Sequence, residues 1–209
     1  MPSVTRKAQG NRAQRRAEIE RSLLAATERL MNAGSSFTEL SVDRLATEAG
    51  VSRATFYIYF EDKGHLLRQL AERVFGELSE AARRWWDVAE RRRSSDAREA
   101  MQAIVATYRR HQSVITAVIE MAAYDPDVSA TYDAIFEGIV ANVEAVIRAG
   151  RSAGTIRDIP VTETAAALTW MVERSCHQTL RRTPPGPGDD HLAESLAQVI
   201  WASLYLEGP

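Results

Sequence analysis

The chain has 209 residues, 45% of them hydrophobic, and a formal net charge of −2; that is enough for one large domain or a small one joined to a larger one, and too apolar for a disordered chain. No run approaches the roughly 18 apolar residues that a membrane span needs, and the polar, basic N-terminus lacks the apolar stretch of a secretory signal, which points to the cytoplasm. The lone Cys176 has neither a disulfide partner nor a neighbour at metal-ligand spacing, and reads as a small apolar residue of a reducing compartment.

The charge is unevenly spread. Up to Phe60, nine Lys or Arg face six Asp or Glu, a local balance of +3 that leaves −5 for the rest. Arg6, Lys7, Arg12, Arg15 and Arg16 stand in the first sixteen residues without an acid among them. Such a basic arm, taken as disordered over residues 1–13, either neutralises phosphates or simply solubilises the chain.

From about Gln14 to Asn32 the apolar positions Ile19, Leu23, Leu24, Ala26 and Leu30 recur at steps of three and four, which predicts a first helix stopped by Gly34. Ser41 is placed to cap a short helix carrying Val42, Leu45, Ala46 and Ala49 on one face, and Gly50 ends it where a positive φ costs little. Ser52 caps a third helix only two residues later. A long helix follows from Lys63 through Leu66, Leu70, Val74 and Leu78 to the Trp85–Trp86 pair. After "RRRSSD", helical patterns run over about 97–111, 113–124, 126–152, 161–182 and 189–206, with Pro126 in a first turn and "RRTPPGPGDD" as the clearest linker. No strand-like alternation or internal repeat is visible. The predicted fold is all-α, about nine helices: a helix-turn-helix domain over 14–62 and a second helical domain over 63–209.

Two short helices joined by "GVS" are the pattern of a helix-turn-helix, whose second helix enters the DNA major groove. Phe56 and Phe60, four residues apart, share the face that packs on Leu45 and Ala46. Arg53, Ala54, Thr55, Tyr57 and Tyr59 point elsewhere, with Ser52 at the helix start. Arg can grip guanine with two bonds, Thr can meet a base edge or a thymine methyl, and a Tyr hydroxyl can donate to phosphate. The same geometry also occurs in proteins that bind no nucleic acid, so the spacing alone leaves both readings open.

The run "FTELSVDRLATEAGVSRATFYIYFEDKGHLL" resembles the N-terminal domain of the TetR family of transcriptional regulators over its whole length, including Phe37, the "TFYIYF" signature at Thr55–Phe60, and Lys63. Together with "MVERS" at Met171, the chain is most similar to the EthR-like subgroup. The resemblance implies a dimeric, ligand-responsive repressor of a palindromic operator. It implies base-reading positions at Arg53 and Thr55, backbone or base contacts from Tyr57 and Tyr59, and phosphate-facing positions at Ser41, Arg44 and Lys63. It further implies that a change in the separation of two recognition helices, spaced for half-sites roughly 34–36 Å apart, switches binding.

In that architecture a hydrophobic effector sits within the second domain. The candidates for its pocket are Trp85, Trp86, Met101, Ile104, Val105, Tyr108, Ile115, Ile119, Phe136, Ile139, Thr169, Trp170, Val172 and Glu173, and each taken singly also suits ordinary core. Thr169 and Val172 stand where EthR-like proteins present polar amides. Glu173 and Arg174 read either as pocket polar groups or as a helix-surface ion pair. Leu168, Met171, Leu180, Leu192, Leu196, Val199, Ile200, Ser203 and Leu204 line the last two helices, which suit a four-helix bundle with a second copy.

An enzyme is the competing reading. The histidines His65, His111, His177 and His191 are scattered, however, with no nucleophile or carboxylate beside them in a recognisable motif and no Gly-rich phosphate loop, so the sequence offers no catalytic residues, metal ligands or cofactor motif. A DNA-binding activator or an architectural protein without an effector is the other alternative. The latter would not need so large an apolar region behind the headpiece.

Overall fold

The computed structural model describes residues 4–88 and 93–205, with the side chains of 12–83 and 93–205. Among these the chain forms nine α-helices: α1 (Val4–Asn32), α2 (Val42–Glu48), α3 (Arg53–Tyr59), α4 (Lys63–Val88), α5 (Ser94–Arg110), α6 (Gln112–Ala122), α7 (Pro126–Ser152), α8 (Val161–Leu180) and α9 (Pro187–Leu204). A 3-10 turn, Phe37–Glu39, precedes α2. The described residues hold no strand, only an isolated backbone bridge between Ile156 and Tyr205. None of their helices is long and apolar enough to cross a membrane.

The first helix begins at Val4, well before the apolar stripe that predicts it, so the arm expected to be disordered is helical from that point. Propensity explains the extension: the added segment is rich in Ala, Arg, Lys and Gln, and its one Gly costs only about 1 kcal/mol relative to Ala. At the other end of the chain, α9 starts at Pro187, where a first-turn proline gives up no intrahelical bond, and Asp189 and Asp190 oppose its dipole.

Contacts divide the chain into two compact units: residues up to Ala71 with Ser113–Ala130, and Glu72–Gln112 with the segment from Thr131 onward. In the first, Leu23, Phe37, Leu45, Phe56, Leu66, Leu67, Val114 and Ile115 have no exposed surface. The Thr27 hydroxyl, also fully buried, donates to the Leu23 carbonyl at 2.7 Å, so the one polar group in the α1 stripe is satisfied within its own helix.

In the second unit α5 packs chiefly on α9. Phe75 meets Tyr132 and Phe136 edge-on, and Phe136 stacks on Trp170 at 4.6 Å between ring centres, which ties α4, α7 and α8 together through aromatic rings. The ends of three helices meet at Arg109. Its guanidinium donates to both Asp189 oxygens, at 2.5 and 3.0 Å, and to the carbonyls of Leu180 and Thr183 at 2.6 and 2.8 Å. One cation therefore takes up orphan carbonyls at the end of α8 and a first-turn acid of α9. Replacing Arg109 by Ala should lower stability by about 3 kcal/mol, because it strands Asp189 and two carbonyls. Urea denaturation checks this; Lys at the same position should restore little, since it lacks the planar fork.

Candidate nucleic-acid interface and regulatory cavity

The helix-turn-helix is built locally much as its residues dictate. The Ser41 hydroxyl accepts from the Arg44 backbone N–H at 3.2 Å, and the Ser52 hydroxyl from that of Thr55 at 2.9 Å, so both short helices start on a side-chain cap. Gly50 takes φ +70°, and the following Val51 N–H returns to the Ala46 carbonyl at 2.9 Å, closing α2 with the left-handed residue that glycine adopts without strain. Phe56 and Phe60 are buried, as their spacing predicts.

The opposite face of α3 is presented to solvent. Arg53, Ala54 and Tyr57 are exposed, while Thr55 and Tyr59 are half-buried. The Thr55 hydroxyl lies 2.8 Å from that of Ser52, so the two share the capping task. Arg53 is ion-paired with Asp43 of α2, with its other terminal nitrogen 3.5 Å from the Tyr57 hydroxyl and its guanidinium 5.5 Å from the centre of the Tyr57 ring. Ser41 and Arg44 lie exposed on α2.

Sequence reasoning passed over Ile58, which is 74% exposed on the same face. An apolar side chain offered to water between two tyrosines fits contact with a thymine methyl. Its place as the variable residue inside "TFYIYF" was the available signal.

The Lys63 ammonium donates to the carbonyls of Phe37, Thr38 and Leu40 at 3.2, 2.9 and 2.7 Å, and lies 5.4 Å from the Phe37 ring centre. An ammonium has three donors, and all three are committed to closing the 3-10 turn onto α4. Lys63 thus has a structural role in this DNA-free chain, and partial burial holds its pKa below the usual lysine value.

In the second unit a cavity of about 100 Å³ lies among α4, α5, α7, α8 and α9. Of the predicted residues it is lined by Met101, Ile104, Tyr108, Phe136, Ile139, Thr169, Val172 and Glu173. Several expectations need correcting. Val105 is buried without reaching the cavity. Ile115 and Ile119 belong to the first unit, where α6 completes a different core. Trp170 is 41% exposed and lines a separate groove with Asp133, Phe136, Glu137, Val140, Ala141 and Glu144. The side chains of Trp85 and Trp86 lie outside the described residues. The wall includes Phe75, Leu78, Ser79, Ala82 and Val143, which sequence reasoning left to the core because a pocket wall and a core stripe have the same helical period.

Leu168 and Ile200, expected at a subunit interface, also face this cavity, and Leu180, Leu196 and Leu204 are buried within the chain's own fold. Of the predicted interface, Met171, Leu192 and Ser203 are half-buried and Val199 is exposed.

Glu173 meets Arg174 only as a long ion pair, and from a buried position rather than from the surface. It is 5% exposed, neither carboxylate oxygen has a hydrogen-bond partner of normal geometry, and the solvent-facing Arg174 Nε stands 3.8 Å away. Burial pushes the carboxyl above the usual range, with Arg174 and the Tyr132 hydroxyl opposing that shift less strongly. The Tyr108 and Cys176 protons are held more firmly in turn, by burial first and by Glu173 second, the thiol rising to about 12.

Residues 23–70 match the N-terminal domain model of the bacterial regulatory proteins of the tetR family, and residues 97–206 match the C-terminal domain of the transcriptional regulator EthR. The chain belongs to the TetR family, with an EthR-type C-terminal domain. It is 29% identical to the HTH-type transcriptional regulator EthR of Mycolicibacterium smegmatis over 97% of this chain and 94% of that one. The EthR of Mycobacterium tuberculosis is also 29% identical, over 90% of this chain and 88% of its own. Among solved structures, the TetR-family regulator PfmR from Thermus thermophilus superposes with a TM-score of 0.68 at 21% identity, covering 90% of this chain and all of that one, and a TetR-family regulator from Syntrophomonas wolfei with 0.71 at 14%, covering 92% and 99%. These relatives are transcriptional regulators, not enzymes, and the chain is a TetR-type regulator with a DNA-binding helix-turn-helix and a ligand-binding domain.

Replacing Lys63 by Met keeps the stem and removes the three donors. Stability should fall by about 1–3 kcal/mol, read by chemical denaturation, as three carbonyls lose a charged partner.

Proposed function

We propose that this protein is a repressor that binds a palindromic operator as a homodimer in the bacterial cytoplasm and is switched by a small, largely hydrophobic effector. The observation that carries the DNA half is the outer face of α3, where Arg53, Tyr57 and Ile58 are displayed on a helix whose inner face is wholly buried. Arg53 would read a base edge, Tyr57 and Tyr59 would meet bases or backbone, Ala54 and Thr55 would lie against the groove, and Ser41, Ser52 and Arg44 would face phosphate. Lys63 is left out of this set, because its donors are spent.

The effector half rests on the cavity, whose wall is almost entirely apolar. At about 100 Å³ it is smaller than the roughly 300–1,000 Å³ usual for ligand pockets, so side chains along it would have to yield to admit a larger molecule. Helix α4 supplies Phe75, Leu78 and Ala82 to the wall and is the same unbroken helix that begins at Lys63 beside the reading domain. An effector that displaces this helix would change the separation of the two recognition helices.

Dimerisation would use what α8 and α9 leave accessible, the exposed Val199 with the half-buried Met171, Leu192 and Ser203. Val199 is 46% exposed, and a glutamate there should turn a dimer into a monomer in sedimentation equilibrium with unchanged helicity.

Mobility shift with DNA from upstream of its own gene, followed by genome-wide selection, tests the DNA reading. Arg53→Ala and Tyr57→Ala should lose the competitor-resistant complex, the Arg contributing about 1–3 kcal/mol, while Asp43→Asn should keep it because it only frees Arg53. Unchanged affinity in folded Arg53→Ala and Tyr57→Ala would end the proposal.

A further inference from the structure

Within the apolar cavity the polar atoms are concentrated and unmatched. Tyr108 of α5 and Thr169 and Glu173 of α8 all line it, and the Tyr108 hydroxyl, the Thr169 hydroxyl and both Glu173 carboxylate oxygens are buried without a hydrogen bond of normal geometry among the described residues, the Tyr132 hydroxyl and, at 3.8 Å, the Arg174 Nε being the polar groups that act on Glu173. Buried polar groups of this kind are rare, because each loses water and gains nothing. We infer that the cavity takes a small amphiphile with an apolar body and a cationic amine head, the amine seated on the Glu173 carboxylate.

This rests on the reading of the cavity as the effector site and names the chemistry of that effector. The deficit has a sign. Hydroxyls can donate or accept, but a carboxylate only accepts once ionised, so in the ionised state of Glu173 the group is short of donors. An ammonium brings three donors and no acceptor. A ligand carboxylate would meet repulsion, and an alcohol would satisfy one oxygen at most.

No Lys, Arg or His lines the cavity itself, and the one cation that the protein sets against Glu173 is the solvent-facing Arg174, 3.8 Å away. The groups that act on Glu173 are Arg174 on its own helix, which is too distant to hydrogen-bond, and the Tyr132 hydroxyl of α7; Glu173 acts in turn on Tyr108 of α5 and on Cys176. Burial favours the protonated acid in the absence of a cation, and an arriving ammonium would reverse that preference.

A second feature agrees in charge. The groove beside the cavity shares Phe136 as a wall and is lined by Asp133, Glu137 and the exposed Trp170, with Glu144 already held by Arg148 at 2.5 Å. Carboxylates beside an aromatic face attract an organic cation and disfavour an anion.

The test uses hexylamine, 1-hexanol and hexanoate, which share one apolar body and differ in head group, measured by thermal shift and calorimetry on the full-length protein and on Glu173→Gln. Hexylamine should bind at least about tenfold more tightly than 1-hexanol, as a charge-assisted bond outweighs a neutral one. Hexanoate should bind weakest, and Glu173→Gln should bring the amine down to the alcohol while leaving the alcohol unchanged. A structure of the hexylamine complex, expected to place the nitrogen on Glu173, decides the matter even if the variant does not fold. Equal, mutually competitive binding of amine and alcohol would overturn the inference and leave the effector cavity standing. So would an amine preference that survives Glu173→Gln, or a nitrogen placed elsewhere. No binding by any of the three would remove both.

Discussion

Helices α2 and α3 have seven residues each, well short of the roughly 12–15 that an isolated helix needs to persist in water. Their existence therefore depends on tertiary burial, and for α3 that means Phe56 and Phe60. With both rings removed from water, each contributing roughly 1.5–3 kcal/mol, the rotation of α3 about its axis is fixed. The 3.6-residue period then decides which side chains face out. The Ser41 and Ser52 caps set where each helix begins, and Gly50 sets where α2 ends. Lys63 belongs to the same construction, since its ammonium closes the loop carrying Phe37, itself fully buried in that unit's core. A DNA-reading face is in this sense the by-product of a hydrophobic constraint on its reverse.

The outer face is held loosely by comparison. Arg53 and Asp43 are both more than half exposed, and ion pairs of that kind contribute about 0–1 kcal/mol. Such a pair keeps the guanidinium near its working position without competing strongly against a guanine edge or a phosphate. Asp43 also places a negative charge beside Arg53, and on the base-reading role proposed for that residue it would weaken attraction to arbitrary phosphate backbone and leave a specific base contact to recover the difference.

The helix-turn-helix was legible in the sequence because its signals are local: caps at fixed offsets, a Gly at the turn, and two Phe at a helical step. The regulatory half was less so. Its pocket and its core obey the same period, and the choice between them depends on which helices converge, information that a stripe such as Met101, Ile104, Val105 and Tyr108 does not carry. Ile115 lies on a convincing apolar face but serves the other unit's core. Leu168 and Ile200 were assigned outward when the fold turns them inward. The structural role of Lys63 is hidden for a different reason: a motif position gives a residue type, and the carbonyls that its ammonium meets come from residues some 25 positions earlier. The extra turns of α1 were hidden because helix propensity without an apolar stripe gives no periodic signal.

Glu173 exposes the sharpest limit of pattern reading. Next to Arg174 in the sequence, it has the look of half of a surface pair, yet adjacent residues on a helix point about 100° apart, and the fold buries one while leaving the other in solvent. A carboxyl in that position weakens the domain, since desolvation outweighs what Arg174 and the Tyr132 hydroxyl return. Leu or Met would pack the same space without that cost. Among the described residues Thr27 is satisfied within its helix and Arg109 is fully engaged, whereas His177 Nδ1 and Arg157 Nε are also buried without a hydrogen bond; Tyr108, Thr169 and Glu173 are set apart by lining one cavity together. Departures of this kind belong where a sequence is shaped by something besides its own stability, and the group left wanting a partner describes the partner.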